Sequence, residues 1–333
     1  MATRTTVNIS LTPELQGFLL KLVETGRYQT TSEVVRDALR LLERQERDHK
    51  EAFLHLKAKL TRGSAQAERG ELLDGNQVFD ELGAELKTAS APRLALLQQI
   101  VAHCQATNVQ YASLFRAEVN SRPIAYFGNP LTARVATFGV NPSATEFTGN
   151  RWLQPAVELA QLDYRSVNYF CNPDVEAHPW FKGYETSLNI LEHSYQNPGR
   201  ADTVHLDLSP RATRAMRSVD PKLFVKMVVA DLKWFLSTLG LCKNLEAAIM
   251  SGSVTGKYYF NEFFIKHLPA PYSLKLNRLL GKKRRGATAL YHLVGPEFSI
   301  PVFFCSTSPS GDGGVQLANE VRRNLPELLA AGF

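Results

Sequence analysis

Hydrophobic and polar positions alternate strictly along Thr5-Thr-Val-Asn-Ile-Ser-Leu11, setting Val7, Ile9 and Leu11 on one face of a strand and Thr6, Asn8 and Ser10 on the other. The period then lengthens to that of a helix. Leu15, Phe18, Leu19 and Leu22 mark the buried face of one helix over 13–25, and Val34, Val35, Ala38, Leu39, Leu41 and Leu42 that of a second, from Ser32 to about Lys50. Gly26-Arg-Tyr28 separates the two, and Thr30-Thr-Ser-Glu33 has the spacing of a capping box. One strand with two helices has an unpaired edge and too small a core, so the pattern predicts a homodimer joined through antiparallel strands. The polar face of that two-stranded ribbon, Thr6, Asn8 and Ser10 with Arg4 beside them, is narrow enough for a DNA major groove, and the helix start at Ser32 can hold a phosphate.

Near residue 90 the pattern changes. Strands are expected near 133–140, 203–208, 247–252, 288–294 and 300–306, between helices near 93–106, 152–162, 184–195, 220–239, 254–267 and 314–330. That alternation predicts an α/β three-layer domain with a central parallel sheet covered by helices on both faces. A small-residue stretch, Lys87-Thr-Ala-Ser-Ala-Pro92, marks a linker at 88–93, with the second domain occupying 94–333.

Composition narrows the classes. The chain has 333 residues, more than one core usually serves, and a net charge of +6 favours polyanionic partners. No apolar stretch is long enough for a membrane span, and Met1-Ala-Thr-Arg-Thr-Thr6 lacks the apolar core of a secretion signal, so the expected location is the cytoplasm. Cys104, Cys171, Cys242 and Cys305 are too far apart in sequence for a metal or disulfide framework and are expected as reduced, mostly buried thiols. His178, His193, His205 and His292 show no metal-ligand spacing and are assigned structural roles; neither a metal nor a cofactor is expected.

The candidate chemistry sits at strand ends. Val135-Ala-Thr-Phe-Gly-Val-Asn-Pro-Ser143 reads as a buried strand running into a tight turn, which delivers Asn141 to the crevice where open α/β sheets bind ligands. His205-Leu-Asp-Leu-Ser-Pro210, Ser251-Gly-Ser253 and Cys305-Ser-Thr-Ser-Pro-Ser-Gly311 end three further strands. If those strands are parallel, the four loops converge on one site.

Two families resemble this chain. Thr6-Val-Asn-Ile-Ser-Leu-Thr-Pro-Glu-Leu15, Gly26-Arg-Tyr28 and Ser32-Glu-Val-Val-Arg-Asp-Ala-Leu-Arg-Leu-Leu-Glu43 resemble a ribbon-helix-helix antitoxin of the ParD family, out to about residue 86. The resemblance implies that 1–50 dimerises and reads DNA, with Thr6, Asn8 and Ser10 on the bases. It also implies that 51–87, including Arg69-Gly-Glu-Leu-Leu-Asp-Gly-Asn-Gln-Val-Phe-Asp-Glu-Leu82, wraps a ParE-type toxin. The alternative for this segment is a helical dimerisation module with a solvated strand face.

Residues 95–330 resemble the uracil-DNA glycosylase superfamily, in particular its single-strand-selective and mismatch-specific branches. Gly139-Val-Asn-Pro142 matches the first motif, whose asparagine positions the attacking water, and Ser308-Pro-Ser-Gly311 the second. The resemblance implies that Asn141 and Ser308 are catalytic and that Gly139, Val140, Pro142, Phe147, Asp207 and Ser310 surround a flipped base. Lys282, Lys283, Arg284, Arg285 and Gly311 are implied DNA contacts. Relatives carry histidine or asparagine where Ser308 stands and asparagine where Asp207 stands; an ionised carboxylate accepts but cannot donate, so an amino-bearing base is expected rather than uracil. Asp207 also has a reading as a helix cap ahead of Pro210-Arg-Ala-Thr-Arg214, Phe147 one as core, and Gly281-Lys-Lys-Arg-Arg-Gly286 one as a solvated loop. Three functions follow: a DNA glycosylase coupled to an antitoxin module, a non-enzymatic antitoxin and repressor, or a glycosylase acting as toxin or defence.

Overall fold

The computed structural model describes residues 10–26, 28–70, 75–115, 123–147, 158–171, 177–197, 201–215, 218–256, 258–282 and 287–333, with backbone alone at 41–53, 55–56, 58–59, 75–89, 145, 147 and 282. They form two compact units, Met1–Leu82 and Gly83–Phe333.

The smaller unit contains α1 (Pro13–Glu24) and α2 (Thr31–Glu68). Each has the cap its sequence offers: Thr12 Oγ1 accepts from Leu15 N at 3.4 Å, and Thr30 Oγ1 from Glu33 N at 3.2 Å. Glu33 reaches back one residue further than a capping box requires, its Oε2 accepting from Gln29 N at 2.9 Å. The second helix overruns its expected end at Lys50, there being no glycine or proline before Gly63 to stop it. Within the single chain Leu15 is 52% exposed and Phe18 58%, as is Leu39 of α2 at 57%, while Val34 is buried. Two helices of one chain cannot cover their own apolar stripes. The predicted strand, with Arg4, Thr6 and Asn8, lies outside the described residues; Ser10 and Ser32 are exposed.

The predicted linker at 88–93 is also corrected. Helix α3 (Gly75–Thr107) runs straight through it, Pro92 included, and the units divide at Leu82 and Gly83. Alanine and serine do not break helices, and Arg93 anchors this stretch from inside: its guanidinium donates to both oxygens of Asp163 on α4 (Leu159–Val167), at 2.8 and 3.0 Å. The Tyr126 hydroxyl donates to the same carboxylate.

In the larger unit β1 (Val135–Gly139), β2 (Thr203–Asp207), β3 (Ala247–Ser251), β6 (Ser273–Lys282), β7 (Ala287–Val294) and β8 (Ser299–Cys305) form one sheet in the order β2-β1-β3-β8-β7-β6. The first four are mutually parallel and β7 and β6 antiparallel, so the sheet is mixed rather than parallel throughout. Chain length decides this: four residues separate β7 from β8 and four separate β6 from β7, too few for a crossover. Strand β6 escapes sequence reading because irregularities between Leu276 and Arg278 and between Leu279 and Gly281 break its alternation. A small hairpin, β4 (Ser253–Thr255) with β5 (Tyr258–Tyr259), replaces the start of the helix expected at 254–267.

Helices cover both faces, which is why the parallel strands read as continuous apolar runs. Phe138, Leu206, Met250 and Phe304 face α6 (Pro221–Leu239) and α7 (Phe260–His267) together with α3. Val135, Ile249 and Phe303 face α4, α5 (Pro179–Ile190) and α8 (Asp312–Arg323), after which α9 (Leu325–Ala330) closes the chain. Helix α5 begins five residues before its expected position because Pro179 starts it and His178 Nδ1 accepts from Trp180 N at 3.2 Å. Cys104, Cys242 and Cys305 are buried free thiols and Cys171 an exposed one. Among the described residues no helix is long and apolar enough to cross a membrane.

Because Asp163 balances Arg93 in a site where both are nearly inaccessible, Asp163→Ala should destabilise the larger unit by about 3–5 kcal/mol, read from its urea unfolding transition. A loss under about 1 kcal/mol would show the pair to be no more than a surface contact.

Candidate active site

The carboxyl ends of β1, β2, β3 and β8 lie on one edge of the sheet, as parallel pairing requires. Strand β1 sits between β2 and β3, so the loops leaving it and β2 part around a crevice. A cavity of about 380 Å³ opens there. All four predicted loops reach its wall: Gly139, Val140, Asn141 and Pro142 from β1, Asp207 from β2, Ser253 beyond β3 and Ser308 beyond β8.

Asn141 is held by its amide nitrogen. Nδ2 donates to Arg211 O at 3.2 Å, to Thr213 Oγ1 at 3.0 Å and to Pro142 O at 3.0 Å. Nothing among the described residues donates to Oδ1, which is left as the unengaged polar atom of a side chain at the cavity wall.

The loop supplying those acceptors is fixed in turn. Leu208 N and Ser209 N extend the ladder by donating to Gly139 O and Val140 O, both at 3.0 Å. Arg211 then turns inward, its Nε 2.9 Å from Asp231 Oδ2 on α6, while Nη1 donates to Asn108 Oδ1 and Nη2 to Thr107 Oγ1, both at 2.6 Å. Ser209 Oγ donates to the same Asp231 oxygen at 2.7 Å. Residues 208–215 are therefore not helical, and the reading of Asp207 as a helix cap falls away.

Asp207 is buried and faces the cavity beside His205, whose Nε2 is 3.4 Å from Asp207 Oδ1. Register explains the cluster: Thr137 pairs with His205 and Gly139 with Asp207, so the four share one sheet face. Gly139 has to be glycine. A Cβ there would lie 2.2 Å from Asp207 Oδ1 and 2.5 Å from His205 Nε2.

Ser308 is exposed at the cavity, and its loop is clamped from below: a Cβ on Gly183 of α5 would meet Pro309 O at 1.8 Å, and one on Gly313 would meet Ser308 O at 1.9 Å. Ser310 does not line the cavity; its Oγ is 2.9 Å from Ser308 Oγ, so it supports that hydroxyl instead. Gly311 is also outside the wall and caps α8 with φ +56°, a conformation that favours glycine. The Phe147 side chain and Lys283, Arg284 and Arg285 lie outside the described residues, as does the side chain of Lys282 at the end of β6.

Several wall residues were not singled out from sequence. His205 lacks metal-ligand spacing, yet its place two residues before Asp207 on a strand puts both on one face. Glu146 is a buried carboxylate that accepts from the Tyr169 hydroxyl at 3.0 Å, and Trp180, Phe127 and Phe181 give the cavity flat aromatic surface. Arg214, exposed, brings a cation to the same wall. No local sequence signal marks Glu146, Trp180, Phe127, Phe181 or Arg214, because chain folding alone brings them to the loops. The arrangement offers a held acceptor for water, two carboxylates for donor groups and rings for a planar ligand.

Residues 1–74 match the family model described as bacterial antitoxin of ParD toxin-antitoxin type II system and RHH. Among curated proteins the chain is similar to antitoxin ParD of Escherichia coli O157:H7, 46% identical over 43 residues, which are 13% of this chain and 54% of that protein. The chain thus spans about half the length of that relative, and its amino-terminal segment is similar to a ParD antitoxin.

Gly139→Ala forces a methyl group into the Asp207 and His205 pair; a cost of about 1–3 kcal/mol is expected, seen as a lowered thermal midpoint. Unchanged melting would mean that the two side chains do not cross Gly139 as described.

Proposed function

We propose that the larger unit takes a base turned out of a DNA strand into the cavity and hydrolyses its N-glycosidic bond, while the amino-terminal module, as a dimer, brings that activity to DNA. The observation that carries the reading is Asn141, anchored through Nδ2 with Oδ1 unengaged at the wall of a cavity with room for a single base. It accords with the resemblance of the strand-end motifs to the uracil-DNA glycosylase superfamily.

Oδ1 accepts a hydrogen bond from a water and sets its oxygen against the anomeric carbon. The new C–O bond forms as the C–N bond breaks, the base leaves with the bonding pair, and the surplus proton passes to the departing base or to solvent. No strong nucleophile is required, because positive charge develops on the sugar ahead of attack. Asp207 faces an exocyclic amine better than a uracil carbonyl. Ser308 offers a hydroxyl where relatives offer imidazole or amide, which implies slow turnover. Thr6, Asn8 and Ser10 read the operator, residues 51–87 hold a ParE-type toxin, and the setting is the cytoplasm.

A second reading, an antitoxin and repressor whose larger unit binds DNA or a partner without cutting it, is favoured by the match of residues 1–74. Oligonucleotides carrying uracil, hypoxanthine or modified cytosines separate the two: alkali-labile abasic sites are expected on at least one, falling about 100-fold or more in Asn141→Ala. Cleavage that survives the substitution would remove Asn141 from the chemistry, and no cleavage with promoter binding intact would leave the repressor. The full chain should also bind its own promoter with an affinity that falls steeply as salt rises, and Asn8→Ala should cost about 1–3 kcal/mol of discrimination against unrelated DNA. Equal affinity for both DNAs in the unaltered chain would end the base-reading role.

A further inference from the structure

Four buried polar side chains run in a line to the cavity wall, and the hydrolysis just described uses only the last. The Tyr195 hydroxyl meets Thr137 Oγ1, which is 2.7 Å from His205 Nδ1, and His205 Nε2 is 3.4 Å from Asp207 Oδ1. Their exposures are 3%, 0%, 2% and 6%, so water does not compete for these contacts. The protons can be traced from the buried end of the line, where the hydrogen bonds lie, towards Asp207. Burial holds the Tyr195 phenol well above its usual range, so it keeps its proton, and Thr137 Oγ1 is the acceptor within its reach. Thr137 has a single proton, and its remaining neighbour in the chain is His205 Nδ1. A neutral ring that accepts at Nδ1 carries its hydrogen on Nε2, facing Asp207. Phe181, Phe127 and Tyr184 hold the plane of the ring, their centroids 5.0 to 6.1 Å from it.

We propose that this relay locks His205 as the Nε2–H tautomer, so that Asp207 meets the ligand as a hydrogen-bond acceptor and the cavity takes an amino-bearing base such as cytosine in preference to uracil. The proposal rests on the base-binding reading of the cavity and makes Thr137 and His205 positioning residues that act through Asp207. The tautomer matters because it decides the other side of the contact. With the hydrogen on Nδ1, a lone pair at Nε2 would face Asp207 Oδ1, the carboxylate would lose the donor that supports it as an acceptor, and the preference for an amino group would weaken.

Long-range 1H–15N spectra of the labelled full chain read the tautomer directly, the His205 signals being identified by their loss in His205→Gln. Nε2–H is expected in the unaltered protein, with Nδ1–H appearing in Thr137→Val. In titrations followed by the same spectra, free cytosine should bind at least tenfold tighter than free uracil, Asp207→Asn should reverse the order, and Thr137→Val should narrow the gap several-fold. Nδ1–H in the unaltered protein, equal or absent binding of the two bases, or an unchanged order in a folded Asp207→Asn overturns the proposal. The second of these needs no variant to fold. Cytosine bound in the cavity with no base excised from any oligonucleotide would instead sink the hydrolysis and leave the relay standing.

Discussion

The candidate site depends on the buried ion pair between Arg211 and Asp231. Asp231 is wholly inaccessible, and Arg211 fills its remaining donors with Thr107 and Asn108 at the end of α3. Charges so placed are costly unless fully paired, and the network meets that condition with Ser209 as a further donor. His103 approaches the same carboxylate at 3.5 Å, but burial and then the charge of Lys233 push its pKa down, so it adds no second cation at neutral pH. The consequence is geometric. A loop that would otherwise be a loose strand-to-helix connection has one path, and its Arg211 carbonyl and Thr213 hydroxyl fall where the Asn141 amide needs acceptors.

The same economy of space governs the other wall. Gly139 is a turn residue in sequence but a packing residue in the structure, because Asp207 and His205 lie across the place of its missing side chain. The loop after β8 is pressed onto Gly183 and Gly313 in the same way. Close backbone approach of this kind brings the polar ends of the strands within reach of one small ligand. It ties the position of Asp207 to the register of β1 with β2, since a slip of one residue would send Thr137, His205 and Asp207 to the opposite face.

The amino-terminal module is organised differently. Its helices are well capped yet leave Leu15, Phe18 and Leu39 more than half exposed. Apolar residues on a stripe of that length do not stay in water without cost, roughly 25 cal/mol for each Å² that a partner could cover. The larger unit, by contrast, buries its own core between helix layers on both sides of the sheet.

Sequence alone determined what local rules control. Capped helix starts at Pro13 and Thr31, the apolar runs of β1, β2, β3 and β8, and the polar residues at their ends follow from periodicity, capping and turn chemistry, each of which acts over a few residues. Asn141, Asp207 and Ser308 were legible for that reason. Tertiary structure decided everything set by contact between distant segments: a helix through the expected linker, held by Arg93 on Asp163; an antiparallel β6 whose irregular pairing hides its alternation; Ser310 behind the wall rather than on it. It also brought Glu146 and Trp180, which no motif announces, to the cavity that the strand-end motifs mark. Burial and partner geometry are properties of the folded chain, and they turn a residue type with several roles into one with a single role.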